Sequence, residues 1–160
     1  MAGYMKFDGV EGECKDDKHK GWIDILSFSQ AVHQPGGGAT GTARRRGDVI
    51  LDDIGVSKLL DKSSPKIAEA VCKGRVFPKV EIELTASYTD QGRVTYYRYE
   101  LKNVLVTSYS VSGAAQSEEV PAEDFSLNFE EIKVTYTEND NAGKKKGNIE
   151  YTWKVEEGKT

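Results

Sequence analysis

From residue 80 to residue 89 the chain alternates without a break. Val80, Ile82, Leu84, Ala86 and Tyr88 fall on one side, and Glu81, Glu83, Thr85, Ser87 and Thr89 on the other. Successive side chains of a strand point to opposite faces, so this run sets one face on a core and the other in water. Asp90-Gln91-Gly92 follows as a hairpin turn. The return strand carries Tyr97, Tyr99, Leu101 and Leu105, with Asn103 breaking its apolar face. Such a hairpin commits the chain to antiparallel sheet. The period of two recurs over residues 4–7, 125–129, 132–136 and 149–155. Between Phe129 and Ile132 the phase slips by one residue, which reads as a bulge where a sheet curls toward a barrel.

Residues 22–33 alternate differently. One face reads Trp22, Asp24, Leu26, Phe28, Gln30, Val32, and the other Ile23, Ile25, Ser27, Ser29, Ala31, His33. The second face shrinks from isoleucine to serine and alanine. A surface of small neutral side chains is neither a tight core nor a charged exterior, and suits a wall that something slides past or packs on lightly. Pro35 then opens a loop running to Asp48, rich in glycine and bearing Arg44, Arg45 and Arg46. Residues 49–54 read as a strand and residues 57–60 as a helical turn. A helix is predicted over 64–73, with Ser64 as N-cap, Pro65 in its first turn and Gly74 as its stop. Ile67, Ala70 and Val71 give it one apolar face for docking. The sum is a mainly β fold: an antiparallel β-barrel with one docked short α-helix and a long extended loop, in a single domain over residues 1–160.

Composition narrows the function. A chain of 160 residues buries a real core in one domain. Its net charge of −4 does not favour nucleic acid as a partner. No window approaches the roughly 20 apolar residues that span a bilayer, so no membrane insertion is expected. The opening residues lack a basic region ahead of an apolar core, so no Sec-type signal peptide is expected and the chain should fold in the cytoplasm. Cys14 and Cys72 lie far apart and are expected as free thiols.

Motifs that usually carry chemistry fail on their surroundings. Gly36, Gly38 and Gly41 match G-x-G-x-x-G, but no strand–helix unit frames them and no lysine follows for a P-loop. Arg46-Gly47-Asp48 stands without any other adhesion feature. In the acidic turn from Glu138, glycine in sixth place at Gly143 puts Ile149 where a calcium loop needs a bidentate glutamate. His19 and His33 have no partner at metal-ligand spacing, and no G-x-S-x-G elbow exists. No cofactor, metal or catalytic residue is expected, and the protein is read as no enzyme.

Several segments, in order, resemble one family. Gly12-Glu13-Cys14, Asp16, His19 and the run from Ile23 to Ser29 with Pro35 resemble the opening of Hcp, the hemolysin-coregulated protein of bacterial type VI secretion. The stretches starting at Leu59, Leu101 and Val120 continue the likeness over nearly the whole chain, with Cys14 where serine or threonine is more usual. The resemblance implies a homohexameric ring around a wide pore. Rings stack into an inner tube that a contractile sheath expels, with a spike protein at its tip and effectors carried in the pore. It implies a protein that is cytoplasmic when assembled and then secreted, working mechanically. Ser27, Ser29 and Ala31 become candidates for the pore lining and effector contact. Gly38, Thr40, Arg44, Arg45 and Arg46 become candidates for ring stacking or subunit contact. The chain ends soon after its last strand, so the tube module alone is expected, with cargo held non-covalently. The alternative is a monomeric barrel binding a small ligand or carbohydrate, with Tyr96, Tyr97, Tyr99, Trp22 and Trp153 as stacking surfaces.

The arginine loop yields the first prediction. The double substitution Arg44→Ala with Arg45→Ala weakens tube growth and leaves the single ring intact, as read by electron microscopy and solution mass. Equal polymerisation by the double variant removes the loop from the stacking contact.

Overall fold

The computed structural model describes residues 1–34, 49–88 and 92–155. Its strands are β1 (Ala2–Phe7), β2 (Ile23–Ile25), β3 (Ser27–Ser29), β4 (Val32–His33), β5 (Ile50–Leu51), β6 (Ile54–Leu59), β7 (Val76–Tyr88), β8 (Gly92–Ser112), β9 (Ala122–Asn128), β10 (Glu131–Asn139) and β11 (Lys145–Lys154). One helix, α1 (Ser64–Lys73), lies between β6 and β7 and rests on β8. The main sheet runs β2-β1-β7-β8-β9-β6-β3, and β4 with β5 forms a separate ribbon. The two ends of the main sheet, β2 and β3, are successive pieces of one segment. The covalent chain therefore joins the ends, and the fold is an antiparallel β-barrel.

The join is a bulge at Leu26. Ser27 is the ladder partner of Ser57, yet the Leu26 N–H also donates to the Ser57 carbonyl, at 2.8 Å. Two residues thus face one, which bends the strand and flips its phase. Ile23 and Ile25 face inward before the bulge and Phe28 after it, while Leu26, Ser27 and Ser29 are exposed. The single continuous face expected from Ile23 to His33 is therefore split in two.

β8 changes partners along its length. Its first half pairs with β7 on one edge and β10 on the other, and its second half pairs with β9. The change falls at Asn103, whose φ of 51° lies in the left-handed region that asparagine tolerates. The Asn103 side chain donates to Glu130 at 2.8 Å, at the break between β9 and β10. The phase slip after Phe129 is this break between two strands that share β8, in place of the expected bulge within one strand.

α1 spans the expected residues, but Ser63 occupies its N-cap and Ser64 its first turn. The Ser64 hydroxyl is taken by other partners, described below. At the other end Gly74, with φ 62°, donates to the Val71 carbonyl at 3.3 Å and Arg75 to that of Ala70 at 2.9 Å. These bonds close the helix in a left-handed turn that suits glycine.

Residues 57–60, expected as a helical turn, lie mostly in β6. Ile54, Val56 and Lys58 all point inward from that strand, and Lys58 is fully buried. Its ammonium meets the equally buried Glu123, its ladder partner on β9, and lies 2.9 Å from Asp61 and 3.2 Å from the Ser64 hydroxyl. Ser64 in turn donates to Glu123 at 2.9 Å, and so does the Tyr109 hydroxyl of β8. Burial and this bond to a carboxylate push the Tyr109 phenol up to about 12.

A buried ion pair is most costly when half of it is removed. Lys58→Met is expected to lower stability in urea unfolding by about 3–5 kcal/mol, because Glu123 stays buried without its cation. Adding Glu123→Leu is expected to recover most of that loss. A Lys58→Met variant as stable as the parent would show the pair to be dispensable.

Candidate functional site: a hydroxyl-lined sheet face

The bulge that turns Ser27 and Ser29 outward sets them beside the outward residues of three other strands. Ladder register places Ser29 opposite Gly55 and Ser27 opposite Ser57. Beyond them stand Ser126 and Asp124 of β9, then Ser108 and Ser110 of β8. Together they line a shallow concavity of about 390 Å³. A Cβ on Gly55 would stand 3.0 Å from the Ser29 hydroxyl, so the small residue keeps the floor flat there.

Three of the six serine hydroxyls on this face are bonded to neighbouring side chains. Ser57 donates to Asp124, Ser126 bonds to Ser108 at 2.6 Å and to Thr107 at 2.7 Å, and Thr107 donates to Asp53 at 2.7 Å. None of the lining residues is lysine or arginine, and Asp124 is their one charged side chain. Ser57 bonds directly to a carboxylate with no imidazole between them, so the serine has no base arrangement of the nucleophilic kind. The outer surface of β7, β8 and β10 is the opposite. Lys79 and Arg98 reach Glu81 at 2.8 and 2.6 Å, and Lys102 reaches Glu131 at 2.9 Å.

Of the sequence-derived candidates, Ser27 and Ser29 lie on this face. Ala31 lies just beyond its lining, where its carbonyl accepts the Asp52 N–H at 3.0 Å. The β4–β5 ribbon follows, with His33 held 2.9 Å from Asp52. Gly38, Thr40, Arg44, Arg45 and Arg46 lie outside the described residues. Ser57, Ser108, Ser110, Asp124 and Ser126 were not among the candidates. The alternation of Ser108, Ser110 and Ser112 with Tyr109 and Val111 is the signal that marks part of this set.

The motif residues near the N-terminus build a second cluster. His19, 2 % exposed, lies 2.6 Å from Asp16 through Nδ1 and meets Glu83 of β7 through Nε2. Each ring nitrogen thus meets one carboxylate. Tyr4 stacks on it at 4.2 Å and Trp22 meets it edge-on at 4.9 Å. This staple fixes residues 11–22 against β1 and β7. A Cβ on Gly12 would collide with the Trp22 carbonyl, so the close approach of the two segments requires glycine. Cys14 is buried, its thiol pushed up to about 11 by burial with Asp24 alongside, which makes it unreactive. Of the aromatic side chains expected to stack on sugars, Tyr99 is buried against Phe28 and Tyr97, and Trp22 packs on His19.

Residues 4–136 match the family model described as type VI secretion system effector, Hcp. The chain is 30 % identical over 153 residues to protein hcp1 of Pseudomonas aeruginosa, covering 95 % of this chain and 93 % of that one. It superposes on a solved type six secretion system protein with a TM-score of 0.90 and 31 % identity, covering 99 % of this chain and 98 % of the other. Hcp1 from Salmonella typhimurium shares the fold, with a TM-score of 0.78 at 23 % identity over 99 % and 97 % of the two chains. The chain belongs to the Hcp family. Its function is that of a tube protein of the type VI secretion system, a secreted, structural component. Members of the family form hexameric rings. No helix among the described residues is long and apolar enough to cross a membrane.

The His19 staple predicts an acid limit. Its hydrogen bond from His19 holds the Asp16 carboxyl below the usual carboxylate range. The stabilisation is therefore complete above about pH 4, the ordinary value for aspartate, and is lost as pH falls through the depressed one. Asp16→Asn is expected to cost about 1 kcal/mol at pH 7 and to flatten the decline of the melting temperature below pH 4. Parallel acid profiles for the variant and the parent would exclude Asp16 as the group responsible.

Proposed function

We propose that six copies of this chain close into a ring whose open centre is walled by the hydroxyl-lined face, and that such rings stack into the expelled tube. The observation that carries the reading is the chemistry of that face. Its outward polar groups are serine hydroxyls and one carboxylate, it lacks cations, and its outward side chains are small, so it holds a passing protein weakly. In this reading the whole chain acts as one domain, Ser27 and Ser29 contact effectors in the lumen, and Ala31 marks the rim. The loop bearing Gly38, Thr40 and Arg44 to Arg46 joins one ring to the next. Assembly takes place in the cytoplasm. A contractile sheath supplies the force, a spike protein caps the tip, and the tube leaves the cell without a cleaved signal peptide. No catalytic step is needed.

Negative-stain electron microscopy of the purified protein, with solution mass from the same sample, tests the ring. Six-fold rings with an open centre and a hexamer mass are expected. Monomers that persist at high concentration with no rings on the grid would refute it. Ser27→Gln with Ser29→Gln, which lengthens two side chains on the wall, is expected to keep the hexamer and reduce the effector recovered with it. Unchanged recovery would take these serines off the wall.

A further inference from the structure

The inward side chains of the main sheet stand in rows set by the ladders. One row runs Ile23, Met5, Ile82, Tyr99, Val134, Tyr151, and the next Ile25, Gly3, Leu84, Tyr97, Tyr136, Ile149. Apart from Gly3, the rows are built of aliphatic and aromatic side chains throughout, as a core face is. Burial stops before the rows do. Ile23, Met5 and Ile82 are fully buried, whereas Tyr151 is 44 %, Tyr136 46 % and Ile149 74 % exposed. The β10–β11 hairpin thus carries a core-patterned face past the part of the barrel that covers it. Two further observations fall on the same hairpin. Among the described residues β11 pairs with β10 alone, so its second edge offers a row of free backbone donors and acceptors. The Trp153 indole N–H, in the row next to Tyr151, is buried with no acceptor among the described residues.

We propose that this face of the β10–β11 hairpin is a contact between copies of the chain, forming one half of the joint that closes the ring. The inference rests on the ring reading above and gives that ring a surface. A second copy is the occupant for three reasons. The family assembles into hexameric rings. A head-to-tail ring needs, on every copy, a surface that meets a different surface of the next. Net charge also suits a hairpin that meets a different part of the next copy: residues 131–155 are net positive by one, while the remainder of the chain is net negative by five. The three exposed side chains fall short of the roughly 800 Å² per partner of a stable interface. The free edge of β11 supplies part of the rest through strand addition.

Ile149→Lys tests the contact, because a residue so exposed has little to lose in its own fold and lysine suits an edge strand. Tyr136→Thr is a second, milder variant that keeps a strand-forming residue. Mass photometry and sedimentation over a dilution series read the assembly, and thermal melts read the fold. If wild-type protein is hexameric, Ile149→Lys is expected to raise the concentration needed for rings at least about tenfold while keeping a folded monomer. Val76→Lys, a control at a residue 53 % exposed at the start of β7, is expected to leave the hexamer intact. A hexamer unchanged in both hairpin variants would overturn the proposal. So would a hexamer that persists while its melting temperature falls, since the row is then covered within one chain. Wild-type protein that forms no ring refutes the ring reading itself, a separate outcome read before any variant.

Discussion

The buried pair of Lys58 and Glu123 is the interaction on which the wall of the barrel depends. β6 can stand in the sheet only if Ile54, Val56 and Lys58 all point inward, and the last of these is a cation. In a fully buried site an unpaired ammonium is untenable, so the strand exists because its ladder neighbour on β9 supplies a carboxylate. That carboxylate also receives Ser64 from the start of α1 and Tyr109 from β8. One charge pair therefore joins three strands and a helix. It also decides the other side of the sheet, because the register that buries Lys58 and Glu123 turns Ser57 and Asp124 outward together.

How much of this was legible depends on whether side chains report their surroundings. The β7–β8 hairpin and α1 declare themselves, one by ten residues of strict alternation and the other by proline and glycine at its ends. Residues 57–60 mislead because a lysine reads as a surface residue. Its inward direction follows from Glu123, 65 positions away and invisible to any local pattern. The bulge at Leu26 hides for a different reason. Leucine is compatible with either face, so the alternation of residues 22–33 looks continuous although its phase changes in the middle. After Phe129 the slip is plain in the sequence, but a bulge and a break between strands leave the same trace. Only the partner strand, with Asn103 in its left-handed conformation, separates them.

The candidate site divides in the same way. Ser27 and Ser29 stand out because serine following isoleucine in a strand is a poor core choice. Their neighbours on β6, β8 and β9 come from segments whose serines look ordinary one at a time, and become a surface only through register. The staple at His19 is half legible. Asp16 lies three residues away, as a local turn allows, whereas Glu83 is 64 residues distant and sits on the polar face of β7, where it reads as solvated.

The two outward surfaces of the barrel point to opposite physical demands. On β7, β8 and β10, acids and bases alternate in dense pairs, a surface that stays soluble and gains little from any one partner. On β3, β6, β9 and the end of β8, short hydroxyl side chains replace the ion pairs, and some of them bond to one another. A wall of that kind neither grips a folded protein through ion pairs nor drives it out by exposing apolar surface. In the proposed ring such a face suits the lumen, where cargo would be held and then released. The uncovered rows on β10 and β11 have the contrary character: exposed aromatic and aliphatic side chains. In the proposed ring, a surface for weak, reversible contact and a surface for lasting contact would thus occupy different strands of one sheet. A tube protein needs both, and neither can take the place of the other.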